Sequence, residues 1–470
     1  MKPVLDRRRS GVLLHPAALP GEHGSLGRAA RAFIDWLASA GFSVWQVLPL
    51  GPVGADGSPY WLRSDEAGNT ALIDQSEAAD PTQSRDEFAE FCTTQHHWLE
   101  DYVLFAALSR EHGSAPWWAW PTALRDRDTE ALRKAKQSLE PELHALRVAQ
   151  WQFALQWSAL RDYAHARGVR LYGDVPIYVA PDSVATWTQR AQFQLLPTGS
   201  PALLAGVPPD YFSEDGQLWG NPLYDWEQAR RDGFAFWRAR ITAGLRRFDL
   251  LRLDHFRGLA GYWAVPAGAA TAREGQWLPA PGMELLAALR GAIDENFGAA
   301  IDAKGDGSQG VLPLVAEDLG VITPDVVQLR RAFDLPGMRI LQFGFDGGGD
   351  NSHLAHNFTQ RTVVYTGTHD NDTTLGWYRS LDPAAAHRVD AYLGSGLDSM
   401  PQALVRVALA SVGVLAVIPV QDLLQLGSEA RYNVPGTATN NWCWRMAEGA
   451  LTAALATQYL RLNETFGRNA

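Results

Sequence analysis

The sequence predicts an α/β protein: a (β/α)8 TIM barrel with subdomains inserted in the loops after the early strands. Three observations predict it. Helix-then-strand units recur along the chain, which implies a parallel sheet. Eight apolar runs read as its strands: Gly11–Leu14, Val44–Leu48, Val169–Tyr178, Leu250–Leu253, Leu312–Ala316, Ile340–Phe345, Val363–Thr366 and Val414–Val420. Three segments near their ends place an acid in a turn: Asp254, Glu317 and Asp370. These acids lie roughly sixty residues apart, about one or two βα units, and barrel strand ends converge on one mouth.

The helices and insertions follow in order. Phe33, Trp36, Leu37 and Ala40 fall at helical spacing, and Gly41 caps that helix before Val44. Residues 75–165 are rich in helix formers, too long for a plain βα connection. Near their end Phe153, Trp157, Leu160 and Ala164 form a helical stripe that Gly168 terminates. Residues 181–230 are rich in Pro, Gly, Trp and Tyr, which predicts a loop-rich insertion between the third and fourth strands. The stretches 268–276, 305–310 and 347–350 read as surface loops. One barrel, interrupted by 75–165 and 181–230, thus accounts for residues 1–470.

A chain of 470 residues is too long for one simple core, which fits a barrel with insertions. The net charge of -11 argues against nucleic acid or an anionic membrane as partner and suits a neutral substrate. Cys92 and Cys443 are too few for a disulfide framework. The apolar run after Arg7-Arg8-Arg9 is too short for a signal peptide. The cytoplasm is therefore the expected location. Eighteen Trp is a high count. Most are expected to pack, while a few offer flat faces for sugar rings.

Clustered carboxylates at a barrel mouth suit glycosidic-bond chemistry, with one acid attacking, one protonating the leaving oxygen and one stabilising the charged transition state. Three segments carry a family resemblance: Arg252-Leu253-Asp254, Ala316-Glu317-Asp318 and Thr368-His369-Asp370. The chain resembles the 4-alpha-glucanotransferases (amylomaltases, or disproportionating enzymes), relatives of the alpha-amylase clan. The match runs from Ser10 to about Arg445. It also includes Ser58-Pro59-Tyr60, the segment 206–224, Gly173–Ser183, Gln421–Gly436 and Asn441–Arg445. Val179 stands where ordinary amylases carry His, which favours transfer over hydrolysis.

The resemblance implies roles. Asp254 is the candidate nucleophile, and Arg252 is expected to hold it ionised by lowering its pKa. The alternative for this pair is a structural Arg–Asp bridge at a strand end. Glu317 is the candidate acid/base, with its pKa raised by neighbouring acids and burial. Asp318 is expected to point the other way and support the loop. Asp370 is the candidate transition-state stabiliser. His369 is a candidate sugar contact, with a His/Asp metal site as the alternative. Ser58, Tyr60, Asp210, Gln217, Trp219 and Arg252 complete the candidate substrate-binding set. The segment 206–224 resembles a lid over the acceptor sites, with a packed loop as its alternative.

No cofactor and no metal are implied. The implied partners are maltooligosaccharides, starch or glycogen-derived alpha-1,4-glucans, with glucose as an acceptor. A glucan hydrolase and a non-catalytic glucan-binding protein are the competing readings. In one place the chain departs from the family: Trp61-Leu-Arg63-Ser-Asp65-Glu66 puts three charges in a loop expected beside the cleft. These are expected to alter subsite preference.

Overall fold

The computed structural model describes residues 4–21, 26–54, 56–209, 213–298, 311–394, 396, 399–437 and 439–469. The expected loop 305–310 therefore lies outside the described residues. Eight parallel strands close a barrel: β1 (Arg9–Leu13), β2 (Val44–Gln46), β3 (Arg170–Val175), β6 (Leu250–Leu253), β9 (Leu314–Ala316), β10 (Gly337–Ile340), β11 (Thr362–Tyr365) and β12 (Leu415–Pro419). Their order around the barrel is β1-β12-β11-β10-β9-β6-β3-β2. Apolar side chains fill both faces because helices cover the outside and the inside is packed. All four residues of β6 are buried, for example. Deep inside, the Tyr365 hydroxyl donates to Gln46 Oε1 at 2.8 Å, so these two buried groups meet each other.

Register determines which strand ends meet. Asp174 on β3 pairs with Arg252 on β6, and Leu253 on β6 pairs with Ala316 on β9. The next residues along, Asp254 and Glu317, therefore leave adjacent strands at the same mouth.

The expected strand Ile340–Phe345 is displaced. The strand is Gly337–Ile340, and Leu341–Phe345 is a buried 3-10 turn. An apolar run in a packed interior does not reveal its own backbone shape. Gly337 is needed at the strand start, because a Cβ there would meet the Asp318 carboxylate at 2.4 Å. The third strand is likewise shorter than expected, ending at Val175 before Pro176.

Helix α1 (Arg28–Ser39) precedes β2, and between β2 and β3 lie α2 (Arg85–Thr94), α3 (His96–Glu111), α4 (Thr122–Arg125), α5 (Thr129–Ser138) and α6 (Glu140–Ala166). Helices α3 and α6 share a second core with Trp98, Leu99, Phe105, Trp117, Trp120 and Trp187. The 27-residue α6 serves two cores. Its first half places Leu143 and Leu146 in the helical core, and its second half places Phe153, Trp157, Leu160 and Ala164 against the barrel. Gly168, at φ 75°, then reverses the chain into β3.

The expected loop-rich insertion contains regular structure. Strands β4 (Leu203–Val207) and β5 (Gln217–Pro222) form an antiparallel pair. They are completed by β7 (Gly261–Pro266) and β8 (Gln276–Pro279), in the order β5-β4-β7-β8. Two of the four strands come after β6, outside the 181–230 interval, so local composition did not disclose the sheet. The expected surface loop 268–276 is the connection between β7 and β8.

Two of the three charges of the Trp61–Glu66 segment are ion-paired within the fold. Arg63 bridges Asp182 at 3.0 Å, and Asp65 bridges the buried Arg240 at 3.0 Å. Burial pushes the Glu66 carboxyl up to about 7 despite Arg247 nearby. Their partners lie more than a hundred residues downstream, which is why the sequence left them unpaired.

Candidate active site

Asp254 follows β6, and His255 after it adopts a left-handed turn at φ 44°. That turn aims the His255 backbone N–H at Glu317 Oε2, 2.6 Å away. The Leu319 N–H donates to Glu317 Oε1 at 2.9 Å. Glu317 is only 8% exposed. Its oxygens thus meet neutral backbone donors.

Arg252 is buried and connects three groups. Its Nη2 holds Asp254 Oδ1 at 2.9 Å, and its Nη1 holds Asp174 Oδ2 at 2.7 Å. The Tyr60 hydroxyl donates to the same Asp174 oxygen at 2.7 Å. Asp174 Oδ1 is buried with no partner among the described residues. Arg252 thus bridges two carboxylates and positions Asp254.

The electrostatics correct one expectation. Arg252 was expected to lower the Asp254 pKa. Burial outweighs it and pushes Asp254 up to about 6, with Arg252 opposing and Asp174 and Asp370 adding to the rise. Glu317 is pushed further, to about 8, by burial first and by the Asp254 charge, again against Arg252. The two acids are therefore separated in the expected order. At neutral pH, Asp254 favours the ionised form and Glu317 the protonated form.

Asp370 is the most exposed of the three acids, at 43% of its side chain. Asn433 Nδ2 donates to its Oδ1 at 2.6 Å, and Arg431 Nη2 donates to its backbone carbonyl at 2.8 Å. His369 Nε2 lies 3.3 Å from Asp370 Oδ2. The His369 ring stacks on Tyr60 with centroids 5.2 Å apart, and burial lowers its pKa, so it is a neutral donor or acceptor. Among the described residues, no group of three or more His, Cys, Asp or Glu has an arrangement that could hold a metal.

The remaining candidates divide. Ser58 Oγ accepts from the Tyr60 N–H at 3.2 Å, so it holds the turn that presents Tyr60. Gln217 and Trp219 sit on β5, with the indole N–H donating to Gln217 Oε1 at 3.0 Å. The Trp219 ring meets His255 edge-on at 4.8 Å, beside the Asp254 turn. Asp210, with its neighbours Tyr211 and Phe212, lies outside the described residues. Asp318 turns away from the mouth to Arg330 and Arg339, each 3.2 Å distant.

Sequence alone marks no role for Asp174, His255, Arg431 or Asn433. Asp174 carried the same signal as the chosen acids, an acid near the end of an apolar run. His255 signals nothing by itself, since its contribution is a backbone N–H set by an unusual dihedral.

A family model described as 4-alpha-glucanotransferase matches residues 14–84 and 75–452. The 4-alpha-glucanotransferase of Thermus thermophilus is 45% identical over 496 residues, covering 95% of this chain and 96% of that one. The enzyme of the same name from Synechocystis sp. is 42% identical over 514 residues, covering 99% of each. The amylomaltase from Streptococcus agalactiae, solved in complex with acarbose, superposes with a TM-score of 0.91 at 32% identity, covering 99% of this chain and 100% of that one.

Proposed function

The chain belongs to the 4-alpha-glucanotransferase family, and from that membership we propose a retaining double displacement on alpha-1,4-glucans. The observation that carries it is the pair at the ends of β6 and β9. Asp254 is held by Arg252 at 2.9 Å, while burial and the neighbouring Asp254 charge keep Glu317 protonated at neutral pH, against Arg252 and the backbone N–H groups of His255 and Leu319.

In the first step an Asp254 oxygen attacks C1 of the donor sugar. Arg252 fixes Oδ1, which leaves Oδ2 to form the ester. The C1–O4 bond breaks, and Glu317 gives its proton to the departing O4. In the second step the 4-hydroxyl of an acceptor gives its proton to the Glu317 carboxylate and attacks C1. The ester breaks and Asp254 is released as a carboxylate. Asp370 and His369 face the sugar ring where positive charge develops, and Asn433 fixes the Asp370 carboxylate. Tyr60 supports that ring by stacking on His369.

Trp219 covers the acceptor side and gives an incoming glucose a stacking face in place of loosely held water. Glucose and longer maltooligosaccharides are the proposed acceptors, with starch- or glycogen-derived chains as donors. The cytoplasmic location is proposed on the low cysteine content.

The test is incubation with maltotriose. Transfer conserves total reducing ends while it makes glucose and longer chains, whereas hydrolysis adds one reducing end per event. Constant reducing ends are expected for the wild type, and a rise per turnover for Trp219→Ala. A wild type that gains one reducing end per cleavage would establish the hydrolase reading instead.

A further inference from the structure

The small sheet carries an aromatic pair that the site above does not use. Trp263 on β7 and Trp277 on β8 are cross-strand partners. Their rings meet edge-on with centroids 5.3 Å apart. Trp263 is anchored: its indole N–H donates to the Ala272 carbonyl at 2.8 Å, and Gly275 lies so close that a Cβ would come within 2.2 Å of the ring. Trp277 rests on this fixed base at the sheet edge and remains 41% exposed. An exposed Trp on an outer strand is ordinary as a cross-strand packing pair. Its surroundings are less ordinary.

Two loops from the catalytic strands converge on Trp277. Arg257, three residues beyond Asp254, lays its guanidinium over the Trp277 ring at 3.8 Å. The same guanidinium donates through Nη1 to the carbonyl of Val321, four residues beyond Glu317. Val321 itself is 68% exposed. The loop that brings the acid/base to the mouth and the loop that brings the nucleophile are thus joined beside the Arg257–Trp277 stack. His255, two residues before Arg257 on the same loop, touches Trp219 with its ring. The loop that carries Arg257 therefore also borders Trp219, which the function proposed above puts on the acceptor side.

We propose that Trp277, backed by Trp263 and flanked by Arg257, is an outlying glucan-binding platform that holds the arm of a long alpha-glucan beyond the units touching the catalytic acids. The proposal rests on the glucanotransferase reading above. A planar indole offers a stacking face to a glucose ring, and the neighbouring guanidinium offers donors to its hydroxyls. Short oligosaccharides that fill only the cleft do not reach it.

The experiment compares wild type, Trp277→Ala and Trp277→Phe on maltotriose and on amylose. With maltotriose, kcat and KM should stay within about twofold of wild type in both variants, since no cleft contact is lost. With amylose, KM should rise roughly three- to tenfold in Trp277→Ala with kcat unchanged, as expected for one lost stacking contact. Trp277→Phe should fall between, because a smaller aromatic face remains. Unchanged amylose KM in Trp277→Ala would overturn the proposal. So would an equal loss on both substrates, which is the signature of a packing role. Retention on an amylose-containing native gel tests the platform without turnover. Wild type retarded more than Trp277→Ala supports it even if maltotriose disproportionation fails, and equal mobility overturns it.

Discussion

Glu317 and Asp318 are consecutive acids at the end of one strand, and the structure gives them opposite environments. The pleat sends their side chains to opposite sides. Both are buried, at 8% and 4% exposed. Glu317 faces the mouth and accepts hydrogen bonds from the N–H groups of His255 and Leu319. Asp318 faces the barrel flank and meets Arg330, Arg339 and the Met338 N–H. Burial raises both carboxyls, but two guanidinium groups oppose the rise at Asp318. At Glu317 Arg252 also opposes it, but the neighbouring Asp254 charge adds to it and the carboxyl is pushed up to about 8. The difference is one of compensation: Asp318 is ion-paired to two arginines and holds the fold, whereas Glu317 has no direct ion pair among the described residues and lies beside the Asp254 charge, which helps burial keep its proton against Arg252.

Exchanging each for its amide should separate the two roles most widely. Glu317→Gln should lose about a thousandfold in transfer to a sugar leaving group, within the range for removing a general acid. Its thermal midpoint should hold, since the amide needs no counter-charge. Asp318→Asn should keep transfer activity near wild type at moderate temperature. It should lose about 3 kcal/mol of stability, because two half-buried arginines are left without their partner. The readouts are initial rates on maltotriose and denaturant midpoints for both variants. Loss of activity without loss of stability in Asp318→Asn would erase the distinction.

A smaller effect sharpens the same contrast. Activity needs Asp254 ionised and Glu317 protonated. As pH falls through the raised Asp254 value of about 6, the nucleophile is lost. As pH rises through the Glu317 value of about 8, the acid is lost. The profile of kcat/KM should therefore be bell-shaped between these limits, which belong to the interacting pair rather than to either group alone. Asp318→Asn should leave both limbs in place. A profile flat from pH 5 to 9 would contradict the assigned protonation states.

The sequence disclosed what lies close along the chain. Apolar runs followed by acids marked Asp254, Glu317 and Asp370. The spacing of Phe153, Trp157, Leu160 and Ala164 marked the second half of α6. It missed what depends on distant partners. The sheet formed by β4, β5, β7 and β8 joins strands separated by β6. The charges Arg63 and Asp65 are balanced by Asp182 and Arg240. The sign of the Asp254 shift failed for the same reason. An arginine two residues away is visible in a sequence, whereas the burial that overcomes it is a property of the closed barrel. Asp174 was readable as a strand-end acid, but only the register of β3 against β6 shows that it faces Arg252.

The central claim is that Asp254 forms a covalent glycosyl ester and Glu317 governs the proton. An alpha-maltosyl fluoride donor tests it directly in Glu317→Gln, because fluoride departs without an acid while the second step still lacks its base. Digestion and mass spectrometry should find one maltosyl unit on the peptide containing Asp254. A modified peptide elsewhere, or release of beta-configured maltose with no adduct, would contradict the retaining mechanism built on Asp254.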